Sequence, residues 1–250
     1  MIELKSTAEI DALDLANRVV HRALNAVRQH AAPGVCTREL DTIAEELIRS
    51  EGGVPAFKGY HGFPATLCTS VNDEIVHGIP STKVRLEEGD ILSVDCGSVV
   101  DGFFGDAAVS FGIGHVNGTA AKLMDVTKAC LDDAVGQVGP GKRLGDIGAA
   151  VQAHAESAGF GVVREFVGHG IGRALHEEPQ VPNYGQAGRG QVMKPGLVIA
   201  IEPMITAGSW RVKIDNDGWT ARTEDGKLSA HFEFSVAVTS DGHRVLGLEE

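Results

Sequence analysis

Two aspartates stand near the ends of the segment Val94 to Phe111, VDCGSVVDGFFGDAAVSF. Ile91 to Val94 before Asp95, and Ala107 to Val109 after Asp106, read as apolar strands, with Gly97 to Gly105 as their connection. Antiparallel pairing of such strands brings both carboxylates onto one face. Two anions in a buried hairpin repel each other and resist desolvation unless a cation sits between them. Taken alone, such a pair reads more readily as two solvated turn aspartates. An echo further along shifts that balance. Gly89 leads through a strand-like run into Asp95, and Gly196 leads through Leu197-Val198-Ile199-Ala200-Ile201 into Glu202. Glu233 lies inside another apolar run, His231 to Val238, where an unpaired charge is costly. Four acids embedded in strands, two in each half, are hard to account for as solvated surface.

Between the two pairs of acids lies FVGHGIGRALHEEP, Phe166 to Pro179. Glycines on both sides of His169 let the backbone approach a site and leave the ring free to turn inward. His176 follows seven residues on. Four carboxylates and one imidazole exceed the usual donor set of one catalytic zinc. They suit two divalent ions bridged by carboxylates and a water. An oxygen-rich set favours manganese, and the histidine also admits iron, cobalt or zinc. A water held between two cations ionises near neutral pH, so the chemistry expected is metal-assisted hydrolysis.

Elements to position these residues are legible around them. Ser6-Thr7-Ala8-Glu9 has capping-box form, and Ile10, Leu13, Ala16, Val20, Leu24 and Val27 follow at helical spacing up to Pro33-Gly34. Thr37 is expected to cap a second helix ending at Gly52-Gly53. Short strands are expected at 65–71 and 75–76, and helices at about 119–135 and 144–158, with Gly159 just beyond the last. Asp225-Gly226 and Asp241-Gly242 are hairpin signals. Two helices then sheet, repeated, predicts two related halves around a shared centre. No Pro- or Ser-rich linker interrupts residues 1–250, which read as a single domain.

The composition sets bounds on partners. A net charge of -12 argues against general affinity for nucleic acid. No apolar run is long enough to span a membrane, and the first residues lack signal-peptide form. Cys36, Cys68, Cys96 and Cys130 form no paired motif, which argues against zinc ribbons and disulfides and fits a cytoplasmic protein.

At these residues the chain resembles the type I methionine aminopeptidases. The likeness runs through Gly59 to Pro64, His77-Gly78-Ile79-Pro80, Gly89 to Asp95, Asp101 to Asp106, Gly168 to Gly172, His176 to Pro179, Ile201 to Met204 and Ser229 to Glu233. It implies an α+β pita-bread fold of two pseudo-symmetric halves. It also implies a dinuclear centre held by Asp95, Asp106, His169, Glu202 and Glu233, with Asp106 and Glu233 bridging. The reaction implied is removal of the initiator methionine from nascent chains whose second residue is small, by a metal-bridging hydroxide attacking the methionyl carbonyl. Glu202 would relay the proton, His77 would bond to the scissile amide, and His176 would stabilise the oxyanion. Tyr60, Phe63, Cys68, Leu175 and Trp219 would surround the methionine side chain. Without the resemblance these five read as ordinary core. Asn72 and Ser229 match a monovalent-cation site of the family. The expected partners are nascent N-termini at the ribosome, met by a monomer with no membrane attachment. The first helix begins almost at the start of the sequence, so docking through an N-terminal extension is not expected.

Three positions depart from the family pattern. Leu175 stands where many relatives carry an aromatic residue, and Gly97 and His231 replace common hydrogen-bonding residues. Two rival readings remain at this point. A proline-directed peptidase of the same fold would typically carry a further N-terminal domain. A catalytically dead binding protein would usually have lost metal ligands, whereas all five positions here carry suitable residues.

Overall fold

The computed structural model describes residues 2–248. Among these residues are four α-helices, α1 (Thr7–His30), α2 (Thr37–Ser50), α3 (Gly118–Val135) and α4 (Leu144–Ser157), and a single 3-10 turn at Tyr60–Gly62. The first strands in chain order are β1 (Val54–Pro55), β2 (Leu67–Val71), β3 (Glu74–Val76), β4 (Ile91–Val100) and β5 (Phe103–Gly112). The second half adds β6 (Gly161–Val162), β7 (Gly168–Gly170), β8 (Glu177–Val181), β9 (Val198–Ile201) and β10 (Met204–Thr206). The last strands are β11 (Val212–Ile214), β12 (Ala221–Thr223), β13 (Ser229–His231), β14 (Glu233–Val238) and β15 (His243–Val245).

A nine-stranded sheet carries the order β1-β4-β5-β14-β9-β7-β8, with β2 also on β4 and β15 also on β14. Its paired strands are antiparallel. Helices cover one face. Leu92, Val94, Cys96, Ala107 and Phe111 pack against Val20, Ala23, Leu24 and Val27 of α1 and Leu40, Ala44 and Ile48 of α2. Ile199, Ile201, Val236 and Val238 share a second cluster with Leu123 and Leu131 of α3 and Ile147 and Val151 of α4. Strand alternation sends the intervening residues to the opposite face. The expected repeat of two helices then sheet is thus present, and it extends to single hydrogen bonds. Gly89 and Gly196, ahead of β4 and β9, have φ of +95° and +93°. The Gly89 amide donates to the Ile113 carbonyl at 2.8 Å, and that of Gly196 donates to the Val238 carbonyl at 2.9 Å. Each glycine ties the start of one strand to the end of its antiparallel partner.

Several local expectations change. Gly97 to Gly105 is not a connection: β4 and β5 pair from Ile91↔Gly112 to Val100↔Phe103, and only Asp101-Gly102 turns. Both turn residues have positive φ, +49° and +79°, as a tight hairpin of this twist requires. Thr37 is inside α2, which Cys36 precedes; the Glu39 carboxylate accepts from the Cys36 amide. The Thr37 hydroxyl instead bonds to the main chain of Ser81. Asp241-Gly242 does join the paired strands β14 and β15. Asp225-Gly226 turns between β12 and β13, which belong to different three-stranded sheets and do not pair. The Ser6–Glu9 capping box forms as expected.

Helix α1 lies close enough to β5 to exclude a side chain. A Cβ on Gly105 would sit 2.6 Å from the Ala16 carbonyl carbon and the Asn17 nitrogen, both main chain. Gly105→Ala is expected to destabilise by about 1–3 kcal/mol, the usual cost of overpacking. Gly118→Ala, where nothing lies within 4 Å, should be neutral or stabilising by up to about 1 kcal/mol. Urea unfolding midpoints at unchanged slope check both; a neutral Gly105→Ala would contradict the close packing.

Candidate metal centre and cleft

Sheet register gathers the acids. Asp95 of β4 pairs with Ala108 of β5, and Ala108 pairs with Glu233 of β14. Three residues on one row share a face, and the central one is an alanine that leaves the space above it open. Asp106 is two residues from Ala108 and so projects on the same side, opposite Gly97, over which Phe57 of the cleft wall packs too closely for a Cβ. Phe234 pairs with Ile201, so the next step sets Glu202, just beyond β9, beside Glu233. Gly170 pairs with Ile199, which turns His169 to the face of Ala200 and Glu202. All five side chains lie on the face away from the helices.

The acids crowd together around one histidine, and among the described residues no basic side chain other than histidine stands beside them. Donor atoms of Asp106, His169 and Glu233 all lie within 4.8 Å of one another. His169 Nε2 is 3.7 Å from Asp106 Oδ2 and 3.7 Å from Glu202 Oε1. Asp95 Oδ1, Asp106 Oδ1 and Glu233 Oε1 are buried without a hydrogen-bond partner. Among the described residues, no Lys or Arg pairs with any of the four acids. Burial and mutual repulsion therefore raise the proton affinity of Asp106, Glu202 and Glu233 well above the ordinary carboxylate range. Burial takes Asp95 to about 7. Burial lowers His169 to about 4, with the His176 ring adding to the effect. Orphaned oxygens around one neutral imidazole form a donor set that fits hard or borderline divalent ions.

Hydrogen bonds hold the main chain of Asp106 and the ring of His169. The Asp106 amide donates to Asn17 Oδ1 of α1 at 3.2 Å, and its carbonyl accepts from the Ser235 hydroxyl at 2.9 Å. His169 Nδ1 lies 2.9 Å from the Gly170 carbonyl; donation there leaves Nε2 as the lone-pair nitrogen facing the acids.

Above the acids opens a cleft of about 310 Å³. Tyr60, Phe63, Cys68, Leu175 and Trp219 all line it, as do His77 and His176. Phe63 and Trp219 meet edge to face at 5.1 Å, and Cys68 and Leu175 are almost fully buried beside them. His77, at φ +62°, stacks edge-on against Phe166 at 5.3 Å, and burial lowers its basicity to about 4. Tyr60 Oη is 2.8 Å from His176 Nδ1. A phenol is a far stronger acid than a neutral imidazole N–H, so the favoured arrangement has Tyr60 donating. His176 Nε2 then carries the proton and is available as a donor.

A model of metallopeptidase family M24 matches residues 11–240. The chain belongs to metallopeptidase family M24. Within the M24 family, the methionine aminopeptidase of Clostridium acetobutylicum is 48% identical over 250 residues, the whole of both chains. The crystal structure of a methionine aminopeptidase from Thermotoga maritima superposes with a TM-score of 0.98 at 44% identity, again over all of both chains. A prolidase from Pyrococcus furiosus superposes at 0.79 with 22% identity, covering 99% of this chain and 66% of that one, a likeness of fold alone. The architecture is the M24 pita-bread fold expected from the sequence.

The M24 centre and cleft thus bring together all five residues expected as metal ligands and all seven expected around substrate. Asn72 and Ser229 also meet: the Ser229 amide and hydroxyl both approach the Asn72 carbonyl, and the hydroxyl lies 2.9 Å from the Glu74 carbonyl. Phe57, His61, Val76, Phe166 and Val167 line the cleft without having been singled out. Phe166-Val167 carried a signal in adjoining the glycine-flanked histidine; Phe57 carried none. His231, noted only as a departure, points at the acids, with Nε2 3.7 Å from Glu202 Oε2.

The raised carboxylates give the metal-free protein a distinctive pH response. A folded-state pKa above the unfolded value means the native state holds the extra proton, so stability falls as pH rises toward the folded pKa. The lowered histidines act oppositely, but only below their unfolded value of 6.5. Above about pH 6.5 the acids dominate, and metal-free protein should lose on the order of 1 kcal/mol per pH unit for each extra proton held. Urea melts in chelator across that range test this, and saturating manganese should flatten the slope. Rising stability in chelator would contradict the reading.

Proposed function

We propose that the chain, as a single catalytic unit over residues 1–250, is a metal-dependent methionine aminopeptidase. It removes the initiator methionine from nascent polypeptides whose second residue is small. What carries the reading is the placement of an orphaned carboxylate–histidine set at the base of an apolar cleft. Relatives named for this activity over the full chain length support it. Asp95, Asp106, His169, Glu202 and Glu233 would hold two divalent ions among cobalt, manganese, iron and zinc, with Asp106 and Glu233 shared. When bound, such ions supply Lewis acidity and bring the pKa of water near neutrality. A monovalent cation would sit at Asn72 and Ser229. The protein acts as a monomer in the cytoplasm, on chains emerging from the ribosome.

The chain's own residues supply the rest. The aromatic walls of Phe63 and Trp219, with Cys68, Leu175 and Tyr60, receive the unbranched methionine side chain and exclude water. His176, its tautomer set by Tyr60, directs Nε2–H at the carbonyl oxygen, where charge develops. His77 bonds to the scissile amide. Glu202, whose burial raises its proton affinity, takes a proton on its carboxylate and returns it to the departing amine.

The first test is specificity. A slot shaped for methionine fits leucine poorly because leucine branches early. kcat/KM for Met-Ala-Ser should exceed that for Leu-Ala-Ser by at least about tenfold, from a packing difference on the order of 1–3 kcal/mol. Turnover of Xaa-Pro peptides in preference to either would favour the proline-directed alternative.

A second test separates two neighbouring histidines. His169→Ala should weaken metal binding and recover part of its activity in excess manganese. His176→Ala should retain metal and a near-normal KM, yet lose roughly 10²–10³ in kcat without rescue by metal. Elemental analysis beside steady-state kinetics reads both. Metal loss in His176→Ala would move that residue into the ligand set.

A further inference from the structure

His231 is 2% exposed, and its Nε2 is buried with no hydrogen-bond partner. A buried N–H left unpaired costs on the order of 1–3 kcal/mol, so the ring is expected to serve an acceptor. Glu202 Oε2, at 3.7 Å, is about half an ångström beyond a hydrogen bond. The other oxygen of the same carboxylate, Oε1, is 3.7 Å from His169 Nε2. Glu202 therefore lies between two imidazoles, one on each oxygen.

The main chain of His231 is held unusually tightly. Its amide donates to Ser110 Oγ at 2.8 Å, and its carbonyl accepts from the same hydroxyl at 2.8 Å. Ser93 Oγ lies 2.7 Å from Ser110 Oγ. With the Ser110 proton committed to the His231 carbonyl, Ser93 is the donor in that contact. Across the strand pair, Met204 of β10 is the register partner of His231. The main chain from which the ring projects is thus held by β5 on one side and β10 on the other.

We infer that His231 is a positioning residue for Glu202: as a neutral imidazole it donates Nε2–H to Oε2, leaving Oε1 on the His169 side for metal and for the reacting proton. This rests on the reading of Glu202 as the proton relay. A carboxylate free to rotate would present either oxygen to the metals; one anchored through Oε2 presents a single oxygen in a single orientation. Because the neighbouring histidine binds nothing directly, its removal should slow the chemistry rather than empty the centre or loosen substrate.

The test uses the full chain loaded with manganese. His231→Leu keeps comparable bulk without a donor. It should retain wild-type metal stoichiometry, keep KM for Met-Ala-Ser within about twofold and lose about 10–100-fold in kcat. In His231→Gln, an amide nitrogen reaches a position near that of Nε2, and kcat should stay within about fivefold of wild type. A purely structural role would show as a lowered unfolding midpoint in both variants, with no rescue by Gln. Metal loss in His231→Leu, recovered by excess manganese, would make His231 a ligand and overturn the inference. A readout independent of turnover uses ¹⁵N-labelled, metal-free protein. A slowly exchanging His231 Nε2–H resonance should be present and should move in Glu202→Gln. An unprotonated Nε2 would overturn the inference even if the peptidase reading holds. Failure of the wild type to cleave Met-Ala-Ser would count against that reading while leaving the resonance to decide the hydrogen bond.

Discussion

Four carboxyl groups share one face of a sheet, and no lysine or arginine among the described residues neutralises them. Each would need a proton, or all would need a shared cation, for the fold to keep them there. That requirement sets the surrounding design. Ala108 is small between Asp95 and Glu233, and Gly97 is small because the Phe57 ring and Ala56 lie over it, where a Cβ would come within 2.6 Å of Phe57 Cε1. Asn17 and Ser235 bond to the main chain of Asp106 and leave its side-chain oxygens free. The apolar helix side of the same strands carries the packing, so the polar side is released from contributing to it.

Much of this was legible in the sequence because charge inside an apolar run is conspicuous. Asp95, Asp106, Glu202 and Glu233 each break a pattern that hydrophobic periodicity makes regular. The repeat could be sensed from Gly89 and Gly196, and both glycines serve the same backbone turn. Register was less legible. Reading Gly97 to Gly105 as a connection followed its glycines, although Val99-Val100 and Phe103-Phe104 flank an Asp101-Gly102 turn that marks the true tip. The same dipeptide at Asp225-Gly226 joins strands that part company, because the choice of strand partner is made by the whole sheet and not by the turn. Thr37 was a reasonable cap by type, yet its hydroxyl found the Ser81 backbone instead.

The cleft was readable only through resemblance. Tyr60, Phe63, Cys68, Leu175 and Trp219 are scattered over 160 positions of the chain, and nothing in their spacing distinguishes them from core. What unites them is that β2, the turn at Tyr60–Gly62 and the loops before β8 and β12 all end at one mouth. Phe57 entered the wall unannounced for the same reason. His231 shows the converse: an unusual residue could be flagged from sequence, but only the three-dimensional arrangement gave it a neighbour.

Within the main sheet the halves meet along a short seam. β5 and β14 share two residue pairs, Glu233↔Ala108 and Phe234↔Ala107. The first half of the centre is laid down by residue 106, while the second waits for Glu202 and Glu233, within the last fifth of the chain. Synthesis runs from the N-terminus, so a ribosome making this protein has nearly finished before a complete donor set exists. A partial copy of the chain holds a hairpin of two aspartates and no centre. If the enzyme trims newborn proteins, the copy being made cannot join in until its own last strands have emerged.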